Sequence, residues 1–408
     1  MEQFSTKPWY PKAVVNEISQ NQDFGLLKHY SVYTEFGTLD MFDVEELNNP
    51  EKFTLLINQI SNLDCFEFWG DLKKPILFEK IEIIENKDGI KLKFETNSQS
   101  FEGLFHNFPV KSWRRKWSKL EKDGDYLIPT GGIQWNGFDL MVFRESVESE
   151  KIQWKSDSLP IFSKMGSILG NFHTMMLETS APRMEKEWNL RLKRLEKITS
   201  SGTLWRVPYS KNTNSIRSLG NLKISNWLLI NDEIKLDLMS LGFQNFGVLI
   251  TETNRFSSLR DVASMYFEID NSKITSSSNS RDYLRQVFFE SWRKNAPHKW
   301  HSKSALDGNL GGMQIWRYDV ELYNLFLSRL YGGKFNKFWI KQVKDIQRSL
   351  FNYRIISASS LGMLICSITM AFLWPNLSIF TKIIIFCAGL VIYSLGMRIY
   401  RNTSLPPY

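Results

Sequence analysis

The chain has 408 residues, 43% hydrophobic and 14% aromatic, enough to bury a large core in one bilobal domain or two domains, and this excludes a disordered protein. With 51 basic and 43 acidic residues the net charge is +8, too modest at this length for a dedicated nucleic-acid binder; an anionic membrane surface is the simpler partner. Cys366 and Cys387 lie in apolar segments and leave Cys65 alone elsewhere, which excludes a disulfide framework, and five scattered histidines without a Cys/His pair at ligand spacing argue against a zinc site.

Met1 to Tyr10 is polar and lacks the apolar stretch of a signal segment. Residues 1–75 mix apolar and acidic segments, with a turn expected at Asn48-Asn49-Pro50 and a helix over Phe53 to Ile60; no chemistry attaches to them. From Lys80 the pattern changes. Ile81 to Ile84 and Ile90 to Phe94, separated by Glu85-Asn86-Lys87-Asp88-Gly89, predict a β-hairpin, and Phe101 to Phe108 a third strand. The basic aromatic cluster Lys111-Ser112-Trp113-Arg114-Arg115-Lys116-Trp117 then begins a helix, before two more strands at Tyr126 to Pro129 and Phe138 to Phe143. Helical patterning covers Leu159 to Leu177 and Met184 to Leu195, a tight strand pair Trp227 to Met239, and helices resume from Ser257 through Phe351.

Two long apolar runs follow. Ile355 to Trp374 is uncharged, Pro375-Asn376 breaks it, and Leu377 to Met397 contains only Lys382, which can snorkel to the far interface. A buried core helix pair is the alternative to a membrane hairpin, but uncharged stretches of this length are commoner in membranes. Arg348 and Arg354 before the first run, and Arg398 and Arg401 after the second, place both outer ends on the cytoplasmic side by the positive-inside rule. With no acidic residue in it, the hairpin reads as an anchor rather than an ion pathway. Ahead of it Lys334, Lys337, Lys341, Lys344 and Arg348 share one helical face, and Trp339, Val343, Ile346 and Leu350 another. Such a helix could attract anionic lipid at roughly 1 kcal/mol per nearby charge, or pack its apolar stripe on the soluble domain with its lysines solvated. The two readings are compatible.

The most informative stretch is Leu219-Gly220-Asn221-Leu222-Lys223-Ile224-Ser225-Asn226, followed by the apolar runs Trp227 to Ile230 and Ile234 to Met239. Together with Phe101 to Trp117, Leu127-Ile128-Pro129-Thr130 and Leu259-Arg260-Asp261-Val262-Ala263, it resembles the lipopolysaccharide kinase family, the Kdo and heptose kinases, within the protein-kinase and aminoglycoside-phosphotransferase fold. The resemblance covers roughly residues 80–330. It implies an α+β, bilobal protein-kinase-like fold, here followed by a two-helix transmembrane hairpin. The expected divisions are an extension 1–75, a strand-rich lobe 76–150, a helical lobe 151–333, a basic juxtamembrane helix 334–354, the hairpin 355–397 and a cytoplasmic tail 398–408.

The departures from the family matter most. Its loop reads His-Gly-Asp, four residues, then Asn; here Gly220 and Asn226 keep the spacing, Leu219 replaces the His and Asn221 the Asp. An amide cannot accept the substrate hydroxyl's proton, a loss of about 10² to 10⁴ in rate. His106 stands where the resemblance implies a phosphate-binding Lys, and a neutral imidazole is a poor substitute for a fixed charge. The implied metal-binding Asp falls on Leu238, with Asp237 one residue early, which in a strand means the opposite face unless a shorter turn at Asn231-Asp232-Glu233 restores the register. Asn226 is read either as a metal ligand or as a turn-forming Asn at the strand start. No glycine-rich phosphate loop occurs. His173 reads as a satisfied core histidine, Asp261 as a brace for the loop, and Arg191 to Lys197 as a solvated helix face.

The leading expectation is a membrane-anchored pseudokinase without a bound cofactor, a binding or regulatory scaffold with a protein partner and the lipid bilayer as its contacts and no nucleic acid. One alternative is an active kinase of a lipid-linked sugar or glycolipid, using ATP and Mg; another is a membrane assembly factor.

Overall fold

In the computed structural model, the described residues are 2–70, 77–86, 89–96, 99–111, 124–152, 158–202, 209, 213–241, 250, 255–272, 278–306, 311–332, 337–402 and 407–408. Most of the basic aromatic cluster that follows Lys111 lies outside them.

Residues 15–44, whose polar and apolar positions gave no strand expectation, form an antiparallel meander of β1 (Val15–Phe24), β2 (Leu27–Thr34) and β3 (Gly37–Val44). Gly25, at φ +79°, makes its two-residue turn, and its amide donates to Asp23 Oδ1 at 2.8 Å. The turn expected at Asn48-Asn49-Pro50 is a helix start. Asn49 caps α1 (Pro50–Ile60) by accepting from the amides of Glu51 and Lys52, and Pro50 occupies the first turn, where its missing N–H costs nothing. The helix buries Phe53, Leu56, Ile57 and Ile60.

β4 (Phe66–Gly70), β5 (Phe78–Asn86), β6 (Gly89–Thr96), β7 (Ser100–Lys111), β9 (Gly131–Trp135) and β10 (Phe138–Glu145) make a six-stranded sheet in the order β4-β9-β10-β7-β6-β5. The expected hairpin and third strand are β5, β6 and β7. Phe66–Gly70, ahead of residue 75, is thus paired along Gly131–Trp135. Side chains alternate across the sheet. Phe94, Phe101, Phe105, Met141 and Phe143 enter the main core. Leu104 and Val142, directly opposite each other, join Trp69 and Met239 in a second apolar cluster, and the next cross-strand pair on that face is Glu102 with Arg144.

The helix-rich part holds β11 (Glu150–Lys151), α2 (Leu159–Met175), α3 (Glu185–Thr199), β12 (Ile216–Arg217), β13 (Trp227–Ile230), β14 (Glu233–Asp237), β15 (Arg255–Phe256), α4 (Ser258–Asn271), α5 (Ser278–Asn295), α6 (Lys303–Leu306) and α7 (Gly312–Leu330). The two parts are stitched by β8 (Tyr126–Leu127), which pairs in parallel with β14 and completes the sheet β11-β13-β14-β8. Tyr126 Oη also donates to the carbonyl of Ile168 in α2 at 2.9 Å.

The basic segment and the first apolar run expected from the sequence are one helix, α8 (Lys337–Leu373), paired with α9 (Ile379–Asn402). Both are long and apolar enough to cross a membrane, and their apolar side chains are largely exposed. Length and composition alone make this compatible with anchoring. Gly396 lies against Ser360 and Gly389 against Ser367, so small residues set the close approach of the two helices. The stripe Val343, Ile346 and Leu350 is buried in the main core, while Lys341, Lys344 and Arg348 are exposed. Lys334 lies outside the described residues, and so do the side chains of Lys337 and of Trp339, the fourth residue expected in the stripe.

Candidate functional site

The loop before β13 is held from behind by α4. Ser257 caps that helix by accepting from the Leu259 amide, and Asp261 in its first turn is fully buried. Asp261 accepts from Ser218 Oγ at 2.6 Å and from the Leu219 amide at 3.2 Å. His173 Nε2 lies 3.3 Å from Asp261, and His173 Nδ1 accepts from Trp292 Nε1 at 2.8 Å. Because an indole N–H only donates, that bond places the imidazole proton on Nε2, facing the carboxylate. The core histidine and the loop brace expected from the sequence are thus one connected network.

A second buried network grips the loop's next residue. Arg260 donates to the carbonyl of Gly220, whose φ of +78° suits glycine, and pairs through Nε with Asp319 at 2.7 Å. Arg191 takes the other oxygen of Asp319. The two guanidinium groups lie against the rings of Phe256 and Tyr323, 5.1 to 5.6 Å from the centroids. Burial pushes the Arg191 pKa down and the Asp319 charge opposes it. Arg191 therefore corrects the solvated-face expectation: it is buried, while Lys193 and Lys197 of the same run are exposed. Asp319 thus carries the counter-charge for both buried guanidinium groups.

Leu219 is fully buried and Asn221 half-buried. Asn226 uses its amide within the loop: Oδ1 accepts from the Lys223 amide at 2.7 Å, and Nδ2 donates to Ser240 Oγ at 2.8 Å. Glu268 of α4 accepts from the Ile224 amide at 3.0 Å, and burial pushes its carboxyl upward.

β13 and β14 are joined by the two-residue turn Asn231-Asp232, both at positive φ, in the manner of a tight type I′ hairpin. Leu236 and Leu238 consequently face the main core, while Asp237 and Met239 face the second side of the six-stranded sheet. Asp237 is nearly buried there. Its Oδ1 accepts from the Met239 amide at 3.0 Å and lies 3.7 Å from Arg144 Nε, while Arg144 also donates to Glu102 at 2.7 Å. The sheet's own arginine thus sits beside the carboxylate that a metal would require. His106 is fully buried where four residues of β7, 106–109, oppose Leu140 alone.

The structure thus joins Asn226 to the segment after Asp237 and binds Leu219 and Gly220 to α4. Sequence reasoning missed Arg144, Glu102 and Asp319. No local signal marks them, since cross-strand and interhelical packing alone unites residues 42 to 135 positions apart. A nucleotide-bound Mg would need carboxylate and amide oxygens free to ligate it. The pairing of Asp237 with Arg144 and the commitments of Asn226 do not fit that group. Among the described residues, no group of three His, Cys, Asp or Glu side chains is placed to hold a metal.

No protein-family model matches the sequence, and no curated protein matches it. Among solved structures, the chain is similar to a glucosamine kinase in complex with glucosamine, ADP and inorganic phosphate, with TM-score 0.48 and 10% identity over 83% of this chain and 93% of that one. Another crystal form of glucosamine kinase gives TM-score 0.49 at the same identity and coverage, and a putative fructosamine-3-kinase from Haemophilus somnus 129PT gives 0.38 at 10% identity over 67% and 92%. The chain's own architecture is mixed α/β with a two-helix apolar extension.

Proposed function

We propose that this chain is a membrane-anchored, kinase-like protein that does not transfer phosphate, a pseudokinase of the lipopolysaccharide-kinase kind that serves as a binding or regulatory scaffold at the cytoplasmic membrane face. The reading rests on the loop spacing at Gly220 and Asn226 together with the α4 brace behind it. The observation that carries the loss of activity is Arg144 beside Asp237. A guanidinium remains charged at all physiological pH and repels a divalent cation from the carboxylate it pairs with. Asn221 at the base position adds the absence of a proton acceptor, and Leu238 places an apolar side chain in the core where the resemblance implies a metal ligand. The proposed topology is a two-pass anchor with the soluble domain and both outer ends of the hairpin on the cytoplasmic side, and the partner is a protein.

The test is Mg-dependent ATP turnover by the full chain in lipid nanodiscs, together with its melting temperature with ATP and Mg. The expected result is no turnover and no shift. Turnover that disappears in Asp237→Ala would instead establish the active kinase of a lipid-linked sugar or glycolipid.

A further inference from the structure

Both apolar helices carry contacts to the main core. On the entering side, Val343, Ile346 and Leu350 of α8 are buried in the main core, and Gln347 donates to the Ser201 carbonyl and to Tyr318 Oη. On the leaving side, Tyr400 of α9 is buried in that same core, with Ile356 and Met397 packed against it. Beyond α9 the chain is held a second time. Tyr266 Oη, on a fully buried ring of α4, donates to the Pro407 carbonyl at 2.9 Å, and the Tyr408 ring lies 6.2 Å from that of Phe289 in α5.

These contacts fix a height. The pairs Ser360 with Gly396 and Ser367 with Gly389 both sum to 756, so the antiparallel seam sets Ile356 level with Tyr400. Exposed apolar side chains start at this level, at Ile355 and Ile399, and continue to the far turn. If the hairpin spans a bilayer, the hydrocarbon boundary falls at residues that already touch the main core. Pro407 is five residue steps beyond Asn402, a reach of at most about 18 Å. Pro407, bonded to Tyr266, thus lies within that distance of the end of α9.

We propose that Pro407–Tyr408 is a strap that, with the α8 stripe, seats the helical part directly on a lipid headgroup surface in one orientation. The proposal rests on the reading that the hairpin spans a bilayer. It also ranks the basic face of α8. At 1.5 Å per residue Arg348, Lys344 and Lys341 stand about 10, 17 and 21 Å above Ile355. The headgroup layer is roughly 5 to 8 Å deep and screening acts over about 8 Å, so Arg348 lies within the lipid's field and Lys341 beyond it.

The test uses the full chain, with Cys366→Ser and Cys387→Ser, labelled at Cys65 and reconstituted in phosphatidylcholine vesicles carrying a headgroup energy acceptor. Energy transfer and hydrogen exchange in α4 and α5 are compared with Tyr408→Ala and with Tyr266→Phe, which keeps the ring and removes only the donor. The expected result is a loss of transfer of about twofold or more in Tyr408→Ala, a smaller loss in Tyr266→Phe, and faster exchange in both. Unchanged transfer and exchange in both variants would overturn the strap. Alkaline extraction of the same vesicles separates the two failures: release of the protein into the aqueous phase would overturn the spanning reading itself.

Discussion

Two ion clusters hold the candidate site, and they differ in where their charges stand. Behind the loop, the buried Arg191 and Arg260 lie against aromatic rings and bond Asp319, and Arg260 also bonds the Gly220 carbonyl, while buried Asp261 accepts from the Ser218 hydroxyl and the Leu219 amide. At the sheet, Arg144 bridges two strand-borne carboxylates, and Glu102 and Asp237 retain some exposure. The first cluster fixes a backbone shape; the second decides what charge the space beside Asp237 presents. The backbone shape of the loop and the charge beside Asp237 therefore rest on different residues.

Breaking the first cluster should have the largest effect. Asp319→Ala strands two buried guanidinium groups and should cost about 3 to 5 kcal/mol, read as the fall in thermal or urea midpoint. Arg144→Ala comes next. It removes the counter-charge from two carboxylates, should cost about 1 to 3 kcal/mol, and should confer a Mg-dependent rise in melting temperature absent from the wild type. A Mg-independent melt in that variant would mean the site is not metal-like even when freed.

Titration separates buried acids from both clusters. Glu321 in α7 is pushed up to about 8 by burial, and Glu268 at the loop is raised for the same reason. An acid whose folded pKa is raised binds its proton more tightly in the folded state. Its stabilising contribution is complete below the unfolded value near 4.5 and is lost as pH rises through the folded value. The melting temperature should therefore fall as pH climbs from about 4.5 past about 8. Glu321→Gln should remove most of that slope, and Glu268→Gln, which keeps an acceptor for the Ile224 amide, a smaller part. Gly220→Ala should have the smallest effect, about 1 kcal/mol for placing a Cβ at positive φ, with the Asp261 bonds retained by hydrogen exchange.

The hairpin β5-β6, strand β7, helices α2 and α3 and the pair β13-β14 were legible because each carries its periodicity within a dozen or so residues. The meander β1-β3 was not, since its strands are largely polar on the outer side and their pairing is set by Gly25 and by packing on β7. At the site, Gly220 and Asn226 were visible as spacing. Asp237 was ambiguous until the Asn231-Asp232 turn proved to contain two residues, which turned it toward Arg144 rather than into the core.

The sequence by itself determined the strand-then-helix order and the two apolar helices, because composition and local period decide such properties. Only the tertiary structure decided that Asp237 lies beside Arg144, that Arg191 is buried, and that Pro407 returns to Tyr266. Those outcomes depend on charges brought together across strands and helices far apart in the chain, and the energy of a charge is set by its neighbours in space.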